Sequence, residues 1–468
     1  MTIRVFEFPW RAVLLAVFVA FVVATLQGPL RLAWLLQQGA YFEAHKEYTR
    51  AIAAYEQASE LRPQVTSHLR IGEIYLTQGR YELAEEKFQE AHRLDPKEEA
   101  LLGLGSVAAA RGDEEEAMER WKEVLTLDES NGEAHYRLGR AYIGRSLWSS
   151  AQEELEKAAR YGDGEARFYL GLLLAREDRE LAVLQLEEVV EREAALTEGA
   201  AEVISILEGL MRAEDEASVA AKLGHMYLGS GLLALAQEQL DKAISLDPEQ
   251  HLARSYLGYA LWSLGEYEEA RGVLREALRL DPRSPLNYYF LALLHRSRGY
   301  SEVALLEFQK ALRLDPENAA ICAEMASTYL EKRDYLAARE WYRAAVERAP
   351  REVKFHLLRA EFHLGHLLWL EEGVDAAQMA VALDPENAMS WDLLGWGQYL
   401  TKRLEEARGS LERAIALNPD LASAYYHLGL TYAQEGLDDM ARWAYERAID
   451  LDTEDLYRER AQKALQEL

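Results

Sequence analysis

An all-α fold is expected for this chain, a superhelical solenoid of helix–turn–helix units preceded by one transmembrane helix. Three observations lead there. Prolines close four successive stretches at Pro248, Pro282, Pro316 and Pro350, 34 residues apart each time. A fixed period of that size marks one supersecondary unit stacked on copies of itself. The composition is rich in Ala, Leu, Glu and Arg, and most of the 11 prolines stand between units rather than inside them. Finally, residues 12–26, AVLLAVFVAFVVATL, hold no charge and a single polar residue, Thr25.

The residues inside the period define the unit. In LGYALWSLGEYEEARGVLREALRLDP, Gly258 is followed by Gly265 and Tyr267 at a turn, then by Ala270, Leu274, Ala277 and Pro282. This arrangement resembles the tetratricopeptide repeat (TPR) family, whose unit is helix A, turn, helix B over 34 residues. Each choice has a packing reason. Gly or Ala on facing helices lets the axes approach where anything larger would overpack. Gly265 and Gly299 suit a helix C-terminus that needs a left-handed residue. Leu-Asp-Pro stops helix B, because the residue before a proline avoids the helical region. Asn318 and Asn387 then stand where the next helix A wants an N-cap.

Taken in order, residues 1–11 form a short tail with Arg4, Arg11 and one acid, Glu7. Residues 12–28 are the expected transmembrane or signal-anchor helix. The apolar run spans roughly 22 Å as a helix, against about 30 Å of hydrocarbon. Trp10 at the interface and a snorkelling Arg11 extend that span. A cleaved secretory signal, with small residues at 22–24, and a buried first helix of the solenoid compete with this reading. Arg4, Arg11 and the terminal amine favour a cytoplasmic N-terminus. A single-pass membrane protein with its repeats on the exported side is therefore expected.

Residues 32–186 make a first block of repeats. Its first unit shows the pattern in helix B (Tyr48, Ala51, Tyr55, Ala58, Pro63), and its second fits from Gly72 to Pro96. The third has Glu129 where proline usually stands, the fourth keeps Gly139, Tyr142, Ala151 and Ala158, and the fifth begins at Gly171 and loses register. Residues 187–216 are acidic, helical in composition and match no unit, so they are read as a joint between blocks or a diverged repeat. A second block covers 217–453, with a distorted unit between Pro350 and Pro385. Residues 454–468 set Tyr457, Ala461, Ala464, Leu465 and Leu468 on one helical stripe. That suits a capping helix, since an uncapped last repeat exposes its core face.

Charge and motifs narrow the function. The net charge of −28 argues against nucleic acid, whose phosphates demand clustered Lys and Arg. The single cysteine, Cys322, excludes internal disulfides and Cys-based zinc clusters. Gly103-Leu-Gly105-Ser-Val-Ala108 has the form of a dinucleotide fingerprint, but that motif works only between a strand and a helix. His356, His363 and His366 lie near one helical face with Glu361 close by. Imidazoles suit transition metals, yet no HExxH is present and a packing role is the simpler reading. No P-loop, nucleophile elbow or CxxC occurs. No catalytic residue, metal, cofactor or small-molecule substrate is therefore expected, and an enzyme would need convergent acid–base or nucleophilic groups.

A groove remains. The resemblance implies that helix A residues line a concave surface for proteins or peptides. On the regular repeats these are Ser255, Tyr259 and Trp262, then Leu286, Tyr289 and Arg296, then Ala323, Ser327 and Glu331, with Phe290 and Leu293 adjoining. Trp396, Tyr399, Tyr426 and Leu430 continue the series. Aromatic side chains in such positions are typical anchors, although packing between repeats is the competing use. Arg137, Arg140 and Arg176, beside Tyr136 and Phe168, form a possible patch for an acidic partner. The Lys/Asn carboxylate clamp of chaperone-binding TPR domains is missing. The expected function is a membrane-anchored, non-enzymatic scaffold. The alternative is an assembly factor for cell-envelope or secreted-polymer machinery. The layout is similar to that of one bacterial lipopolysaccharide-assembly family, an anchor followed by TPRs, but that family ends in a Cys-rich metal knuckle that this chain lacks.

Overall fold

The computed structural model describes residues 29–213 and 215–468, and these are α-helical throughout apart from short turns and one 3₁₀ turn at Ala194–Leu196. The expected transmembrane segment at 12–28 lies outside the described residues. Among those described, no helix is long and apolar enough to cross a membrane.

Paired helices repeat as the period requires, for example His251–Ser263 with Tyr267–Leu280 and Pro285–Ser297 with Ser301–Leu314. The close approach within a pair has a fixed address. Gly72 faces Phe88, Gly139 faces Leu155, Gly224 faces Leu240, Gly258 faces Leu274, Gly395 faces Leu411 and Gly429 faces Tyr445. A Cβ at any of these six glycines would lie 2.4–2.9 Å from the facing side chain, well inside contact distance. The large partners are almost wholly buried, which for a Leu or Phe is worth about 1.5–3 kcal/mol each. In the fifth unit Gly171 meets Leu186, one residue sooner than the rule predicts. That missing residue is the loss of register.

The turns keep their geometry even where glycine is replaced. Gly231, Gly265, Gly299 and Gly436 are left-handed with φ between 69° and 84°, and Arg333 and Lys402 take the same place at 59° and 65°. Asn318 and Asn387 cap the following helices, accepting from the backbone N–H groups of Ala320 and Ile321, and of Ser390. The distorted tenth unit carries two left-handed non-glycine residues, Leu367 and Trp369, in one turn.

Residues 187–216 do not interrupt the core. Position 187 falls inside the helix Arg179–Arg192, and the helix Thr197–Met211 buries Ala200, Val203, Leu207 and Leu210. These join one apolar cluster that runs from Tyr136 to Met325. Tyr227 donates to the carbonyl of Leu172 at 2.9 Å, tying the fifth unit to the sixth across that helix.

The described chain divides into two compact units. One unit takes in the described residues up to Glu123 together with Asp420–Leu468; the other is Val124–Pro419. In the first, the helix at 29–44 buries Leu35 and packs Gly39 against Tyr55, with Leu36 and Phe42 against the same apolar cluster. The C-terminal repeat meets the N-terminal ones through polar contacts. Thr49 donates from its backbone N and its Oγ1 to Asp450 Oδ1 at 2.8 and 2.6 Å. Arg447 donates to the carbonyls of His45 and Lys46 at 3.2 and 2.7 Å. The last helix, Arg458–Glu467, buries Arg458 and Ala461, and Asp452 accepts from the N–H groups of Tyr457 and Arg458 at its start. Of the stripe expected there, Leu468 is exposed.

Candidate functional site

The regular repeats place their helix A residues in successive rows. Tyr259 and Trp262 lie 5.4 Å apart between ring centroids on the helix His251–Ser263. Tyr259 packs at 5.0 Å against Phe290 of the next helix A, and Tyr289 lies 5.8 Å from Phe290 and 5.9 Å from Phe308. One aromatic cluster thus bridges two repeats. Tyr259, Trp262 and Tyr289 are half-buried, so each combines a packed ring with an accessible edge. Trp262 Nε1 donates to Ser297 Oγ at 2.9 Å, which fixes the indole plane.

A charged rim follows the cluster. Arg296 pairs with Glu324 at 2.5 Å and lies 3.6 Å from Glu331. Burial, with the Glu324 carboxylate beside it, pushes the Tyr289 phenol up to about 12, so it remains a neutral donor. Aromatic rings with one guanidinium and two carboxylates at the edge can hold a peptide side chain and its backbone.

Other expected residues are placed differently. Leu293 is only 7 % exposed and belongs to the core cluster, as Phe290 does, so it offers little surface of its own. Trp396 and Tyr399 are half-buried and stack at 5.4 Å with planes 12° apart. Tyr426 lies in the other compact unit, 5.5 Å from Tyr457 and 6.1 Å from Tyr445.

The three arginines do not act as one patch. Arg176 is held by both oxygens of Glu238 at 2.8 and 3.1 Å, pairs with Glu177 and lies over the Trp148 ring. Its charge is satisfied within the chain. Arg137 pairs with Glu133 on its own helix. Arg140 instead stacks over Tyr169 with 4.7 Å to the centroid and reaches the Tyr136 hydroxyl at 3.3 Å. It lines a cavity with Ile143, Tyr169, Leu232 and Leu264.

The histidines have separate surroundings. His356 Nε2 meets the Pro350 carbonyl at 2.9 Å, and His366 lies against Tyr335. His363 is fully buried between Phe362 and Trp369, 3.6 Å from Glu372. Burial pushes it down to about 4. Glu372 is bound by Arg339 and lies 3.4 Å from Arg359; nothing in the sequence spacing announced that network. Among the described residues no group of three His, Cys, Asp or Glu could hold a metal ion. The Cys322 thiol is buried, and burial pushes its pKa up.

Comparison with known proteins agrees with the repeat architecture. Models described as tetratricopeptide repeat match residues 36–99, 108–177, 222–285, 287–318, 323–388 and 422–455, and one described as TPR repeat matches 399–436. No curated protein matches the chain. Among solved structures, yeast Tom70 is 19 % identical, with 93 % of this chain and 96 % of that one covered and a TM-score of 0.42. The APC/C hetero-tetramer Cut9–Hcn1 gives 13 % identity, the same coverages and 0.39. YrrB, described as a TPR protein with an unusual peptide-binding site, gives 22 %, 41 % of this chain, 97 % of that one and 0.34. Likenesses this loose carry no argument of their own.

Proposed function

Since the chain belongs to the tetratricopeptide repeat family, we propose that it is a membrane-anchored, non-enzymatic scaffold that captures peptide segments of other proteins on its helix A surface. The observation that carries this is the cluster of half-buried Tyr259, Trp262 and Tyr289 around the buried Phe290, built across two repeats. Rings already held in place lose little ordering entropy when a ligand docks, so more of the contact energy appears as affinity. The apolar run at 12–26 supports a tether, and a tether raises the effective concentration of a partner at the bilayer. Arg4 and Arg11 support an exported position for the repeats.

Peptides selected on the intact chain from a random library test the groove. Tyr259→Ala with Trp262→Ala should weaken their binding by at least ~2 kcal/mol, the range of interface anchors, with unchanged helical circular dichroism. Undiminished affinity in the double variant would place capture elsewhere. Protease accessibility of a C-terminal tag, read on the membrane pellet of cells stripped to the cytoplasmic membrane, tests the orientation. Digestion of the tag supports an exported solenoid; protection reverses it.

A further inference from the structure

The helix at 29–44 has two faces of different character. Leu36, Gly39 and Phe42 turn toward the helix Tyr48–Leu61, and Leu35 is buried. On the opposite side Leu30, Trp34 and Tyr41 are 66, 55 and 57 % exposed. At 3.6 residues per turn these three fall within about 40° of one another, so they form a single stripe. The ends of a repeat array normally carry a polar outer face. The C-terminal helix obeys that rule with RERAQKALQE; the helix at 29–44 does not.

Charge identifies what this face fits. The chain has 80 acidic residues, yet none occurs from Phe8 to Phe42. The acid-free stretch therefore runs without a break from the apolar run at 12–26 through the exposed stripe, where the one charge is Arg31. Tryptophan and tyrosine concentrate at the headgroup level of bilayers, where an amphipathic ring meets both phases. A stretch of chain without acidic side chains also avoids repulsion from anionic headgroups. Leu30 follows Leu26 by four residues, a reach of at most ~14 Å, and the stripe to Tyr41 then extends roughly 16 Å. A second copy of the chain is a poorer occupant, because three side chains fall far short of the ~800 Å² that each partner buries in a stable interface.

We propose that the Leu30–Trp34–Tyr41 face of this helix is a membrane-interface contact, which lays the first repeat against the bilayer surface beside the anchor. The inference rests on the anchor proposed above. The test places single cysteines at Trp34, Tyr41 and, as a control, the exposed Glu82, in a Cys322→Ala background. Each is labelled with an environment-sensitive fluorophore. The full chain is then incorporated into vesicles of three parts phosphatidylcholine to one of phosphatidylglycerol, with and without lipid quenchers carried near the headgroups. The expected result is a blue shift and quenching at 34 and 41, with no change at 82. A chain that sediments with vesicles while its labels at 34 and 41 remain in water would keep the anchor and overturn this contact. A chain that fails to sediment removes the anchor and the contact together. Shielding that grows with protein concentration and resists the lipid quenchers would assign the face to a second copy instead.

Discussion

A methyl group added at Gly258 would lie 2.4 Å from Leu274 Cγ, whereas one added at Gly272 meets nothing within 4 Å. The same substitution should therefore have opposite signs at two positions 14 residues apart. Gly258→Ala should cost about 1–3 kcal/mol by overpacking, and Gly272→Ala, on an exposed helix face, should add about 0.5–1 kcal/mol. Urea unfolding of both variants decides it, and equal effects would mean that the small residue in helix A is not needed for close approach. His363 supplies a pH dependence of known direction. Its folded-state value of about 4 lies below the ordinary ~6.5, so between those values the unfolded chain binds the proton and the folded one does not. Stability is then complete above about pH 6.5 and falls as the pH drops toward 4, by at most ~3 kcal/mol. Glu372, held below the usual carboxylate range by Arg339, contributes its own loss only at lower pH. His363→Leu should flatten the fall in unfolding midpoint across this window; parallel curves for variant and parent would assign the fall to other groups. The pattern of small residues was readable because it recurs with the period. The packing role of His363 was readable as well, but its partners were not, because Trp369 and Glu372 meet it through a turn built on left-handed, non-glycine residues.

Pairs of helices were readable for the same reason that single residues were: the proline period, the Gly-x-Tyr turn and the asparagine caps agree with one another. Where that agreement fails, the sequence misleads about extent rather than type. Residues 187–216 read as either a joint or a diverged repeat because the fifth unit is one residue short between Gly171 and Leu186. Helix Thr197–Met211 nevertheless fills the core as any repeat helix does. Contacts between distant helices left no trace in the pattern. Thr49 and Asp450 are 401 residues apart and make two hydrogen bonds with a carboxylate that is almost fully buried. A double-mutant cycle with Thr49→Val and Asp450→Asn should give a coupling of about 1–2 kcal/mol, as for residues sharing one network. Additive effects would show that the two ends touch without supporting each other.

That coupling bears on how the molecule unfolds. In a solenoid whose units contact only their neighbours, stability is a sum of local terms, and loss of one end is felt only next to the cut. The compact unit that joins the described residues up to Glu123 with Asp420–Leu468 departs from this rule. Its N-terminal helices gain contacts from His45, Lys46 and Thr49 to Arg447 and Asp450, and from Gln78 to Arg458. Truncation after Pro419 removes all of these together. Native-state hydrogen exchange, which reports the opening energy of each segment, should then show lost protection in Tyr48–Leu61 and Val65–Thr77. The helices Pro285–Ser297 and Ala319–Glu331 should retain theirs, since their partners lie within Val124–Pro419. Protection confined to its parent level in the N-terminal helices would return the chain to the nearest-neighbour description. Protection lost there, at a sequence distance of hundreds of residues from the cut, would mean that the first and last repeats fold as one cooperative body, a property that no periodicity in the chain encodes.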